Sequence, residues 1–131
     1  MMKTILLSFF IISSALVNQH KGDLINEISN QFRQGNGKEI AKYFPSTVNL
    51  SLMNNENVYS KVQAEIILNN FFKNNQPRTS EVLHRLDNNP NYQHAVILLT
   101  TSNGDYRIAY SLKGNEDPLQ LIEIRIEKSL Q

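Results

Sequence analysis

The stretch Asn57–Lys73, NVYSKVQAEIILNNFFK, constrains this chain more than any other. Ser60 and Gln63 have the spacing of a capping box, in which the hydroxyl accepts from the Gln63 amide and the Gln63 side chain reaches back to the Ser60 amide. From that start Ala64, Ile67, Leu68, Phe71 and Phe72 recur at i, i+3, i+4, i+7 and i+8, one apolar face of a helix. Val62 and Ile66 lie nearly opposite that face, so the pattern predicts a helix covered on two sides, by a sheet and by another helix or subunit. Pro77 ends it, because the residue before a proline resists helical angles.

The N-terminus reads differently. Met1-Met2-Lys3 is a short positive start, Thr4–Val17 is an apolar run of 14 residues, and Ser13-Ser14-Ala15 offers the small residues that a signal peptidase reads. A membrane-spanning helix needs about 20 residues, so the run reads as a secretory signal peptide. Residues 1–19 are assigned to it and 20–131 to one domain, a length that buries a real core. Without Lys3 the 13 basic residues become 12, against 12 acidic ones. A near-neutral chain lacks the basic patch that supplies most nucleic-acid affinity, so no nucleic-acid partner is expected. The chain has no cysteine, which excludes a disulfide framework and a lipid-anchored cysteine after the signal. A secreted or periplasmic protein, with no membrane span after signal removal, is the expectation.

Asp23–Gln34 predicts a first helix, capped by Asp23, striped by Leu24, Ile25, Ile28 and Phe32, and stopped at Gly35. Asn36 and Glu39 form a second capping box that opens a short helix closed by Pro45. Thr47–Met53 alternates as a half-buried strand, and Asn54–Asn57 reads as a turn. After Pro77 the period changes to two. Strands are predicted over Ser80–Leu86, Gln93–Thr101, Tyr106–Leu112 and Leu119–Glu127, with Asn103-Gly104 as a hairpin turn. In the last strand Ile122, Ile124 and Ile126 share one face and Glu123, Arg125 and Glu127 the other. Helices first and a strand meander last give an α+β domain, a curved antiparallel sheet wrapped around three N-terminal helices.

That order resembles the nuclear transport factor 2-like superfamily, the cone shared with ketosteroid isomerase and scytalone dehydratase and also described as cystatin-like. Gly35-Asn36 with Ala41-x-Tyr43-Phe44, and Tyr59-Ser60-Lys61-x-Gln63-Ala64-Glu65-x-x-Leu68-x-x-Phe71-Phe72, resemble a small family of secreted bacterial proteins of unknown function. Thr101-x-Asn103-Gly104-x-Tyr106-Arg107 and Ile124-Arg125-Ile126-Glu127 continue the likeness over nearly the whole mature chain. The resemblance implies the cone fold and carries over no catalytic residue.

Enzymes of this fold hold a ligand between the concave sheet and the helices, and an isomerase there needs an inward carboxylate beside an oxyanion donor. Alternation turns Tyr106 and Tyr110 inward and Glu123, Arg125 and Glu127 outward. His84 and Asp87, near one end of their strand, are the remaining bases within reach of a cavity mouth. Tyr43, Phe44, Phe71, Phe72, Tyr106 and Tyr110 are the expected pocket lining. His20, His84 and His94 lack metal-ligand spacing, and no phosphate loop, dinucleotide fingerprint or nucleophile elbow is present, so neither metal nor cofactor is expected. The leading expectation is a non-catalytic module that binds a small apolar ligand or another secreted protein through the cone mouth or the sheet face, with a homodimer through that face as one form. The alternative is an isomerase- or dehydratase-like enzyme with Tyr106 or Tyr110 as donor and His84 or Asp87 as base.

Overall fold

A computed structural model describes residues 23–130; the expected signal peptide, residues 1–19, lies outside the described residues. Helices α1 (Leu24–Gln34) and α2 (Gly37–Ala41) precede strands β1 (Thr47–Leu52) and β2 (Asn55–Ser60). Helix α3 (Lys61–Asn74) then leads into β3 (Pro77–Asn89), β4 (Tyr92–Thr101), β5 (Gly104–Lys113) and β6 (Gln120–Lys128). The caps form where the sequence places them. Asp23 accepts from the Asn26 amide at 3.3 Å, Asn36 from the Glu39 amide at 3.2 Å, and both halves of the Ser60–Gln63 box are made. Gly35 stops α1 with a φ of 66°, a left-handed conformation that a glycine adopts without steric cost.

The strands form one open, curved sheet in the order β2-β1-β6-β5-β4-β3. All neighbours are antiparallel except β1 and β6, which run parallel, a departure from the wholly antiparallel sheet expected. The two strands start at the same end, where the Leu121 amide donates to the Tyr43 carbonyl at 2.8 Å. A second departure is β2. Only Met53 and Asn54 turn, and Asn55–Ser60, read partly as a turn, pairs residue for residue with β1. Only Tyr59 of β2 is even half-buried, so no burial pattern in the sequence marks the strand. A third lies in β6, where a register shift between Ser111 and Leu112 puts buried Leu121 in the core position expected of Ile122.

Helices α1 and α3 pack into the concave face. Ile25, Ile28 and Phe32 from α1 and Ala64, Leu68, Phe71 and Phe72 from α3 meet Ile97, Leu99, Ile108, Tyr110 and Ile124 from the sheet, all buried. Burial of this apolar surface, at about 25 cal/mol per Å², is the main favourable contribution to folding. On the convex face Arg125 reaches Glu127 at 3.6 Å and Glu56 at 3.9 Å, and Arg107 stands opposite Glu127. The second side of α3 is not covered as expected. Val62 and Ile66 are 68% and 53% exposed, because the sheet and α2 together reach only the Ala64–Phe72 side.

Candidate functional site

The interior of the cone is a column of rings. Phe32 of α1 lies against Tyr110 of β5 with centroids 5.8 Å apart and meets Phe72 of α3 edge-on at 6.0 Å; Phe71 meets Phe72 at 5.7 Å and Tyr106 at 4.9 Å. Each such pair contributes about 0.5–1.5 kcal/mol beyond its buried area. Both inward hydroxyls are taken by the protein. Tyr110 donates to the Ile25 carbonyl at 2.8 Å and Tyr106 to Asn75 Oδ1 at 2.8 Å. The Asn75 amide in turn donates to the Phe71 carbonyl at 3.0 Å, closing the end of α3. Burial, and secondarily the Asp23 charge, push the Tyr110 hydroxyl well above its ordinary range, so it stays protonated at any physiological pH.

Open space lies instead at the mouth, around the loop between β5 and β6. The Gly114 amide ties this loop to the Asn91 carbonyl at 3.1 Å, and the Asp117–Pro118 bond in it is cis. A groove of about 460 Å³ separates the loop from Lys42 and Tyr43, and one of about 390 Å³ separates it from Leu24, Pro90, Asn91 and Gln93. Tyr43 donates to Glu27 at 3.3 Å, and its hydroxyl pKa is raised by burial and by the Glu27 charge. Lys42 pairs with Glu39 at 2.9 Å. Near the start of α1, Arg85 of β3 reaches Asp23 at 2.5 Å and Asp87 at 3.0 Å, and the Asp23 bond raises its pKa.

Of the residues expected to line a pocket, Tyr43 lines the larger mouth groove. Phe44, Phe71, Phe72, Tyr106 and Tyr110 are core side chains, although Phe72 also edges a shallow groove with Gln34, Gly35 and Pro77. Asp87 stands near the mouth, tied to Arg85. His84 does not join it. Register aligns His84 with Val96 and Ala109, whereas Tyr110 aligns with Ala95 and Arg85, so His84 and the tyrosines occupy opposite faces of the sheet. Sequence reasoning missed Arg85 as a mouth residue, because its inward turn depends on the register shift between Val82 and His84. It also missed the connection between the strands predicted over Tyr106–Leu112 and Leu119–Glu127, whose residues 114–118 line the larger mouth groove. Phe32, which joins the rings of β5 to those of α3, was legible as core but not as the hinge of the column.

Helices seated in the concave face of an open, curved sheet define a protein of the nuclear transport factor 2-like, cystatin-like cone class. The chain belongs to the family described as "Domain of unknown function (DUF4783)", whose model matches residues 25–127. It is similar to a DUF4783 protein of Bacteroides fragilis YCH46, with 27% identity over 78% of this chain and 95% of that one and a TM-score of 0.72. A DUF4783 protein of Bacteroides ovatus ATCC 8483 is 25% identical over 79% of this chain and 94% of that one, with a TM-score of 0.74. At 13% identity, a cystatin-like domain of unknown function from Nostoc punctiforme PCC 73102 shares the fold alone, with a TM-score of 0.62 over 82% of this chain and 74% of that one. No curated protein matches the chain. Among the described residues no helix is long and apolar enough to cross a membrane, and no three His, Asp or Glu side chains converge as a metal site would need.

Proposed function

We propose that this is an exported, non-catalytic binding module that takes its partner at the mouth of the cone. The observation that carries this reading is the occupied interior: the ring column fills the space between the concave sheet and the helices, where the resemblance would put a cone enzyme's ligand, and both tyrosine hydroxyls serve protein acceptors. General acid–base chemistry needs a base within hydrogen-bond reach of the reacting proton. His84 on the opposite face and Asp87 bound to Arg85 do not meet that need. The mouth grooves present Lys42, Asn115, Glu116 and Gln120 beside Tyr43 and Leu119, a mixed lining that suits a protein segment better than a small apolar ligand.

A second reading, the homodimer, draws support from the convex face, where Val96, Leu98 and Ala109 are only half-buried and Leu86 is exposed. One measurement separates the readings. Native mass spectrometry of the protein, expressed from its full coding sequence and recovered after export, should give a monomer lacking the N-terminal segment and free of ligand. Extra mass released on denaturation would replace the binding-module reading with an occupied cavity. A doubled mass would favour the dimer, and a chain retaining residues 1–19 would refute export.

A further inference from the structure

The two edges of the sheet are built differently. At one edge β3 has register irregularities at three places and carries Arg78, Glu81, Arg85 and Asp87, devices that blunt an edge against strand addition. At the other edge β2 pairs with β1 over six residues without irregularity, and it contains neither lysine nor proline. The Lys61 amide donates to the Ser46 carbonyl. By antiparallel alternation Tyr59, Asn57 and Asn55 also turn their main-chain groups toward β1. The N–H and C=O of Glu56 and Val58 therefore face outward, while the Ser60 N–H is already used by Gln63.

Beside this edge lies an apolar crease of about 200 Å³, lined by Leu50, Leu52, Asn55, Tyr59 and Ile67 between the β1–β2 hairpin and α3. Four of the large apolar residues that the fold leaves exposed, Met53, Val58, Val62 and Ile66, belong to the same stretch of chain. Two outward main-chain donors and two acceptors at strand spacing select an extended polypeptide over a helix or a small molecule. The crease receives the side chains pointing to the concave face. On the convex side the Glu56 carboxylate accepts from Asn49 at 3.3 Å and lies 3.9 Å from Arg125, and its 50% exposed side chain still gives a basic residue of the incoming strand a charge to face.

We infer that β2 is a strand-addition site for an extended segment of a partner protein, aliphatic at alternate positions and basic opposite Glu56. The site is independent of whatever occupies the cone mouth. A phage library of random dodecapeptides, panned on protein expressed from its full coding sequence, tests it. The expected result is enrichment of peptides with an aliphatic residue at every second position. Their binding should fall at least tenfold on Val58→Pro, which removes an outward N–H at an edge where proline is tolerated. Main-chain N-methylation of the selected peptide should cause a similar loss on the unaltered protein, a control that does not depend on the variant folding. Failure to enrich such peptides, or binding indifferent to both changes, would overturn the inference. A dimer of the unaltered protein that Val58→Pro dissociates would overturn it too, by giving the edge to a second copy.

Discussion

One oxygen atom of Tyr110 couples the helix layer to the sheet. Its bond to the Ile25 carbonyl joins β5 to the first turn of α1, and the ring beneath it rests on Phe32. Tyr110→Phe keeps the ring and removes the bond, so a loss of about 1 kcal/mol is expected from chemical denaturation. The same substitution has a signature in pH. Burial raises the Tyr110 pKa in the folded protein, whereas in the unfolded chain a tyrosine ionises near its ordinary pKa of about 10. Stability from this group is therefore complete below about pH 10 and declines as pH rises toward the folded-state value. Tyr43, also raised, adds a smaller decline in the same direction. Denaturation curves from pH 8 to pH 11.5 should show the unaltered protein losing stability faster than Tyr110→Phe above pH 10. Parallel curves would mean that the hydroxyl is not buried as described.

At the scale of elements, what the sequence could announce was whatever is encoded by neighbours. Asp23, Asn36 and Ser60 cap their helices and Gly35 stops α1, because capping depends on residues three positions apart. The inward turn of Tyr106 and Tyr110 was legible for a similar reason, since period two fixes the face along any regular strand. β2 was not legible: its residues are exposed, and pairing with β1, not burial, makes it a strand. The inward turn of Arg85 and the replacement of Ile122 by Leu121 were hidden as well, because each follows a one-residue shift that reverses the faces beyond it. The strongest of the local signals can be tested directly. An alanine at position 35 would have to keep a φ of 66° and hold its Cβ 3.2 Å from Pro77 Cδ. The left-handed conformation alone costs an L-residue roughly 1–2 kcal/mol, so Gly35→Ala should be destabilised by at least that much in a urea titration. A neutral result would show that the α1–α2 junction relaxes to another conformation.

For the molecule as a whole, function depends on whether the cone is a vessel or a plug. The family likeness and the fold are compatible with either, and the sequence left Phe71, Phe72, Tyr106 and Tyr110 open to both uses. The packing favours the plug, since Phe71 bridges Phe72 and Tyr106 within the column. Removing that ring should convert one into the other. Phe71→Ala is expected to lose about 3–5 kcal/mol, a large share of the roughly 5–15 kcal/mol that holds a domain together. The space left would be lined by apolar side chains, and engineered cavities of that kind stay dry and bind xenon. Xenon NMR should then show slow or shifted exchange with Phe71→Ala and only weak surface contact with the unaltered protein. Leu68→Ala, buried on the same helix face and expected to cost about 2–5 kcal/mol, serves if the first variant does not fold. Uptake of xenon by the unaltered protein would show that the rings leave a usable cavity after all. In that case Tyr106 and Tyr110 would again have to be weighed as donors to a bound molecule, and the mouth would become an entrance instead of the site itself.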